Sequence, residues 1–587
     1  MLICGFIAVS RHSLRGAWKL SSAEAVITAG SRPELFVELG ARALSRRLLI
    51  VTLAILTLAG FGFRVYGLSA EGLSEDEFNK LSAVADYRAH GLTAANGEHP
   101  LLMKALQTVS LVAAEKWNNT ALASAHPLAW RVPREAALRF PSAVFGALIV
   151  LLLYLFTAEF FGSEVALIAA ALWAFDPSAI GFNRIAKEDT FLLFFFLLAN
   201  IFWLRSQRAA EAGHERPVYY WATAASFGAM IASKYMPQYL TISLAYYEIF
   251  QRIPAARWRL GKPRFLLFAA IMGAAFVLCN PTILLPDVWR QMLAFVSYKR
   301  IGHDGYEFMG TVYSHKLMDW LKGVPWYFYF VFMGVKLPLP TLAAFLVGLP
   351  ALCRRKLGDG RFFLLFWAVI GFMPFVFVGG KFTRYFTPVL PVVLITAAIG
   401  AQSAARLLER ASAALFSNDG AQHYARLSLA SLLILSSAWA SASAAPYYRL
   451  YTNLIGGGSH RAGSYFPQDE FYDAYMRQVM TGIAERARPG ARVASETPGL
   501  TAYYAEQAHR PDLICVSLSD PAALAEFAEG DFVIVARGRR YFSNDRLISS
   551  LRQSTSPAFS VSLDDVPAVE VYRLDQASLA SIKAPTY

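Results

Sequence analysis

The sequence predicts a polytopic α-helical membrane protein with a small α/β domain at its C-terminal end. Three observations predict it. The 587 residues are 56% hydrophobic and only 17% charged, against roughly 25% charged in soluble domains. Several apolar runs approach the ~20 residues needed to cross a bilayer. From about residue 465 those runs stop, and short alternating elements take their place.

Eleven spans are expected: 48–67, 139–158, 164–181, 189–205, 218–233, 237–250, 264–280, 325–350, 362–379, 384–403 and 427–445. Residues 1–47 read as a polar cytoplasmic leader without a short cleavable signal pattern. With the N-terminus inside, Arg46-Arg47, the group Arg252, Arg257, Arg259 and Lys262, and Arg354-Arg355-Lys356 all face the cytoplasm. That is the positive-inside pattern. It accounts for much of the net charge of +13 and removes the need for a nucleic-acid partner. The expected location is a cell membrane (inner or plasma membrane), crossed many times, with the C-terminal domain outside. Cys4, Cys279, Cys353 and Cys515 are scattered, with no spacing for a zinc site or a disulfide framework.

The expected organisation is a leader (1–47), a membrane domain (48–445) and an extracytoplasmic α/β domain (446–587). The outer face then receives 68–138, the short 182–188 turn, 281–324 and everything after 445. The 68–138 loop is long enough to be functional or to carry its own helices. Helical spacing of apolar residues at 78–90 and 100–116 predicts two amphipathic helices lying along the membrane surface. In the tail, 469–487, 499–508 and 521–528 read as helices, and 493–495, 514–517, 532–536 and 569–573 as strands of a mostly parallel sheet. Gly456-Gly457-Gly458 reads as a flexible joint or turn. It is not a phosphate loop, because no Lys-Ser/Thr follows it.

Ionisable residues collect at one face of this topology. Ser74-Glu75-Asp76-Glu77 follows span one, and Glu98-His99-Pro100 and Lys104 lie in the same loop. Arg139-Phe140-Pro141 opens span two, and Asn183-Arg184 with Lys187-Glu188-Asp189 fills the tight turn before span four. Ser233-Lys234 ends span five, and Lys381-Phe382-Thr383-Arg384-Tyr385 opens span ten. Each has a plain structural reading: a solvated loop for Asp76-Glu77, an ion pair or helix cap for Lys187 and Asp189, and surface anchors for Lys234, Lys381 and Arg384. Lys336 reads as a helix-break residue. Together they suit one chemistry. A carboxylate can take a proton from a hydroxyl, while Lys and Arg neutralise a phosphate as it binds and leaves. Transfer of a sugar from a lipid-phosphate carrier to a hydroxyl fits that set. A transporter or flippase is the alternative. It would be expected to show repeats and broken helices at the bilayer midplane, and the charges gather at one face instead.

At these residues the chain resembles the protein O-mannosyltransferases and their bacterial relatives, including the lipid A aminoarabinose transferases. Asp76-Glu77 looks like that family's Asp-Glu in the first outer loop. His99-Pro100-Leu101-Leu102-Met103-Lys104 resembles its His-Pro-Pro-Leu-Gly-Lys segment with the second Pro and the Gly replaced. Arg139-Phe140-Pro141-Ser142 resembles Arg-x-Pro-Ser, and 183–189 resembles Ser-Arg-x-Ala-x-x-Asp; Ser233-Lys234 and 381–385 are further matches. The resemblance covers about 45–405. It implies a C-type glycosyltransferase (GT-C) fold and transfer with inversion from a polyprenyl-phosphate sugar, mannose by default, to a protein Ser/Thr or glycolipid hydroxyl. It also implies Asp76 as catalytic base, Glu77 and Asp189 orienting base or acceptor, and Lys104, Arg139, Lys234 and Arg384 on the phosphate side. His99, Arg184, Lys187 and Lys381 complete the expected substrate-binding set, and Glu75 reads as a bystander. No metal-ligand cluster is visible, although carboxylates can recruit a divalent cation. The tail lacks Trp-rich trefoil repeats and is expected to select the acceptor or cover the cleft.

Overall fold

The computed structural model describes residues 46–126, 130–214, 216–250, 262–297, 303–316, 319–415 and 419–583. The expected leader up to residue 45, Cys4, and Arg252, Arg257 and Arg259 lie outside the described residues. The chain is a multi-pass helical membrane protein with a small sheet-bearing unit at its C-terminal end. Among the described residues, six helices are long and apolar enough to cross a membrane: Arg46–Val65, Arg134–Phe175, Asp189–Ala210, Gly360–Phe377, Leu390–Ala411 and Leu427–Ala444.

These six stand where seven of the eleven spans are expected. Spans at 139–158 and 164–181 merge into the single run Arg134–Phe175, broken at Gly162, whose φ of 84° is a conformation glycine adopts at little cost. The other four expected spans are shorter helices: Pro217–Ser233, Gln238–Phe250, Lys262–Cys279, and a broken pair in place of 325–350. That pair is Phe328–Lys336 and Leu339–Leu352. The break falls at Leu337-Pro338, because a residue preceding proline is driven out of the helical region. Leu339–Leu352 packs closely on Leu390–Leu415: a Cβ at Gly400 would lie 1.8 Å from the Ala344 carbonyl oxygen. Small residues allow such backbone approach between helices in a membrane.

The two expected surface helices are Glu75–His90 and Leu101–Asn118. A capping box starts the first: the Glu77 amide donates to Ser74 Oγ, and the Ser74 amide donates to the Glu77 carboxylate. The 281–324 segment contains a hairpin that was not expected, β1 (Gly305–Phe308) against β2 (Thr311–Ser314).

The tail sheet is mixed rather than mostly parallel. Its strands are β3 (Arg492–Ser495), β4 (Ile514–Ser517), β5 (Phe532–Ala536), β6 (Phe559–Leu563) and β7 (Val566–Arg573), in the order β4-β3-β5-β7-β6. β3 pairs in parallel with β4 and β5, while β7 runs antiparallel to β5 and β6. β6, with alternately exposed residues, escapes the sequence reading. The expected 469–487 helix is split into Pro467–Phe471 and Met476–Arg486 by Tyr472 and Asp473, with φ of 49° and 57°. The glycine run at 456–458 is a turn held by Asn453, whose Oδ1 accepts from the Gly456 amide.

The tail does not hang free of the membrane unit. One hydrophobic core contains Leu73, Leu138 and Ala186 together with Phe471, Met480 and Val493. Beneath it, Lys336 is bonded to Glu470 and donates to the Tyr451 and Arg449 carbonyls at 2.7 and 3.0 Å. Lys336 is therefore a buried cross-tie as well as a helix-break residue.

Candidate active site

The cavity beside Asp76 holds about 220 Å³ and is walled by three separate parts of the chain. Asp76 and Lys80 come from the Glu75–His90 helix, Lys187 and Arg384 from the membrane unit, and Asp469 and Tyr472 from the tail. Asp76 lies at the start of its helix, where a carboxylate is favoured by the helix dipole. Its Oδ2 is 2.6 Å from Lys187 Nζ and 3.4 Å from Arg384 Nη2, and it accepts from the Tyr472 hydroxyl at 3.3 Å. Burial would raise the Asp76 pKa, but Lys187, Arg384 and Lys80 hold it well below the ordinary value. Burial lowers Lys187 to about 8.

Arg384 is sandwiched. Its guanidinium lies 3.9 Å from the centre of the Phe382 ring and points to Asp469 Oδ1 at 3.6 Å as well as to Asp76. Asp469 in turn accepts from the Tyr306 hydroxyl at 2.6 Å and from the Thr383 amide at 2.8 Å. On the other side, Lys80 Nζ is 3.2 Å from Glu188 Oε1, and both side chains are buried. His99 Nδ1 lies 3.7 Å from the same oxygen, and burial lowers His99 to about 3, so this ring is neutral.

Several expected site residues are elsewhere. Arg139 does not line the cavity, and all of its N–H groups are engaged. It donates to Glu77 Oε1 and Oε2 at 2.8 and 2.6 Å and to the Leu68, Glu71 and Gly72 carbonyls. Glu77 is fully buried and also accepts from the Ala186 amide at 2.9 Å. It fastens the loop to the membrane unit and does not line the cavity. Arg184 stitches the end of the first helix in place, donating to the Gly67 carbonyl at 2.7 Å and to that of Tyr66, with its guanidinium over the Tyr448 ring. Lys104 closes the 95–99 turn through the Asn96 and His99 carbonyls at 2.7 and 3.0 Å. Lys381 donates to the Val324 and Val378 carbonyls. Asp189 is paired with Lys234 at 2.5 Å, and Lys234 sits over the Tyr385 ring, so this pair stands behind the cavity wall and not against Asp76. Of the expected set, Asp76, His99, Lys187 and Arg384 line one cavity.

The sequence reading missed the rest of that wall. Lys80 lies four residues after Asp76, one helical turn on, and that spacing could have found it. Nothing local marks Asp469, Tyr472 or Arg539. Arg539 donates to Glu75 Oε2 at 2.8 Å and holds the Asp473 carboxylate with Nε at 2.8 Å and with Nη2. The Asp473 carboxylate also accepts from the Glu75 amide at 3.0 Å. Glu75 is thus no bystander; it is where the tail docks on the loop that carries Asp76. His303, stacked 4.3 Å from Tyr541, completes that contact. Among the described residues, no three His, Cys, Asp or Glu side chains are grouped as a metal site needs. The cavity carboxylates Asp76 and Asp469 face cations instead.

In fold comparison the chain is similar to ArnT from Cupriavidus metallidurans bound to undecaprenyl phosphate, at 13% identity and a TM-score of 0.45, covering 92% of this chain and 100% of that one. It is similar to the Archaeoglobus fulgidus oligosaccharyltransferase tethered to an NVT acceptor peptide, at 13% identity and a TM-score of 0.47, covering 84% and 69%. Against the S. cerevisiae Pmt1-Pmt2 complex bound to its sugar donor, identity is 19% and the TM-score 0.29, covering 43% and 33%. These likenesses are too loose to place a residue. No curated protein matches the chain in sequence. Residues 130–284, which include Arg139, Lys187, Asp189 and Lys234 but not Asp76, match the family described as dolichyl-phosphate-mannose-protein mannosyltransferase.

Proposed function

We propose that this protein is an integral-membrane glycosyltransferase of GT-C type, moving a sugar from a polyprenyl-phosphate carrier to a hydroxyl of a protein or glycolipid acceptor on the extracytoplasmic face. The observation that carries the reading is Asp76 ionised between Lys187 and Arg384 in one cavity. The family match over residues 130–284 supports it.

In the proposed reaction the acceptor hydroxyl attacks the anomeric carbon from the side opposite the phosphate. The new carbon–oxygen bond forms as the bond to the phosphate oxygen breaks, and the configuration inverts. The hydroxyl proton passes to Asp76, and the electron pair leaves with the polyprenyl phosphate. Lys187 and Arg384 meet that charge, the guanidinium with a fork suited to phosphate oxygens. A strongly ion-paired carboxylate is a weak base. Donor phosphate competes for Lys187 and Arg384 and so restores proton affinity to Asp76. Donor binding thereby prepares the base. Mannose is the default sugar, by resemblance.

The test is transfer of a labelled sugar from a polyprenyl-phosphate donor by the purified full chain, with Asp76→Asn as control. Transfer that disappears in the variant supports the reading. Undiminished transfer by Asp76→Asn overturns the site, and no transfer from any polyprenyl donor across a panel of acceptors overturns the enzyme.

A further inference from the structure

We infer that Arg131 and Arg134, beside the anchored Arg477, form a binding site for the phosphate of an anionic lipid headgroup, on the membrane face that carries the Asp76 cavity. The three guanidiniums line a second cavity of about 640 Å³, between residues 131–135 and the tail helices Met476–Arg486 and Pro498–Gln507. It shares no lining residue with the Asp76 cavity.

Its electrostatics are unbalanced. The one lining carboxylate is Glu135, which is buried and already committed: it accepts from the Tyr504 hydroxyl at 3.1 Å and lies 3.4 Å from Arg477. Arg131 and Arg134 are exposed; Arg134 is hydrogen-bonded to Tyr503 and acts on Glu115 only at longer range. The neighbouring Glu115 is taken by Arg88 at 2.7 Å. Arg134 also opens the helix Arg134–Phe175, and Pro133 before it supplies no side-chain cap. Arg477 is fixed beside them, its Nη2 donating to the Ser69 and Ala70 carbonyls at 2.8 and 3.0 Å, and the positive end of the helix dipole adds to the charge of Arg131 and Arg134. Cations at a helix N-terminus are unfavourable on their own, and the arrangement is relieved by an anion.

Position identifies the source of that anion. The helix starting at Arg134 is long and apolar enough to cross the membrane. Trp130, immediately before it, is 54% exposed, and its ring centre lies 6.4 Å from that of Trp117, itself 37% exposed. Exposed tryptophans at the end of a membrane helix mark the headgroup level. A phosphate presented at that level is carried by a lipid, and guanidinium forks match its oxygens.

The test uses the full chain reconstituted in nanodiscs of phosphatidylcholine with phosphatidylglycerol, with retained lipids counted by native mass spectrometry. Wild type should retain phosphatidylglycerol selectively. Each basic side chain at an anionic surface is worth about fivefold, so R131A/R134A should lose roughly 30-fold and the milder Arg131→Gln about fivefold. Unchanged melting temperature and sugar transfer in Arg131→Gln exclude misfolding as the cause. Equal phosphatidylglycerol retention by wild type and both variants overturns the site. Inorganic phosphate binding to lipid-free protein, without phosphatidylglycerol enrichment in nanodiscs, overturns the lipid assignment.

Discussion

Glu77 and Asp76 are adjacent in the chain, and neutralising them should have opposite consequences. Glu77 is fully buried, with Arg139 forked onto both oxygens and the Ala186 and Ser74 amides donating to it. Glu77→Gln removes the countercharge of a buried guanidinium and sets an amide NH2 among four N–H donors. Breaking a buried pair on one side costs about 3–5 kcal/mol, and the surrounding core, which includes Leu73, Leu138 and Ala186, is the part that joins tail to membrane unit. Asp76 faces a cavity, and its partner Arg384 keeps Asp469 when Asp76 is lost. Asp76→Asn should therefore cost roughly 1 kcal/mol or less, in the range of solvent-accessible pairs, while abolishing transfer. Thermal unfolding in detergent, followed by tryptophan fluorescence, measures the first quantity and sugar transfer the second. The double variant Glu77→Gln/Arg139→Met should be less destabilised than the sum of the two single changes, because the unpaired charge is gone. Acid adds a check of sign. Burial would raise the Glu77 pKa, but Arg139 and the two amides hold it below the ordinary value. The stabilisation is then complete above about pH 4.3 and is lost as pH falls through the depressed native value, so the acid-induced fall in melting temperature should be smaller in Glu77→Gln. An unaltered melting temperature with lost transfer in Glu77→Gln would refute this reasoning and return Glu77 to the chemistry.

Three further outcomes are expected. Lys187 sits at about 8 and must be charged to face phosphate, so transfer should fall on an alkaline limb near pH 8 that moves upward in Lys187→Arg; a limb unmoved by the substitution contradicts that role. His99, held at about 3 by burial, is neutral through the working range, and a pH profile of His99→Gln between pH 5 and 8 should keep the wild-type shape. Arg539→Ala removes the link between Glu75 and Asp473. Loosening a positioned carboxylate loop should lower kcat of the folded protein by roughly 10–100-fold, with a fall in melting temperature because Asp473 is left buried without its counter-ion; wild-type kcat in that variant would show that the tail does not position the site.

Much of the membrane architecture is legible locally. Apolar runs and the proline at 338 act over a few residues, so most helices fall close to their expected places. The errors come where neighbours decide. Gly162 turns two expected spans into one broken run. β6 and the β1–β2 hairpin are short, half-exposed strands whose pairing partners lie outside any local window.

Local chemistry in the sequence determined that the chain crosses a membrane many times, that its tail is a separate kind of unit, and which charged residues stand at the ends of apolar runs. Span ends are set by where apolar runs stop, so residues at them share a layer. It could not determine which of those charges face each other. Arg139, Arg184, Lys104 and Lys381 look like phosphate ligands in one dimension, yet each is consumed by carbonyls or a buried carboxylate. Only the tertiary structure brought Tyr472 and Asp469 to within a cavity's width of Asp76, from nearly 400 residues away. A hydrogen bond is satisfied by whichever partner packing delivers, and packing is a property of the whole chain.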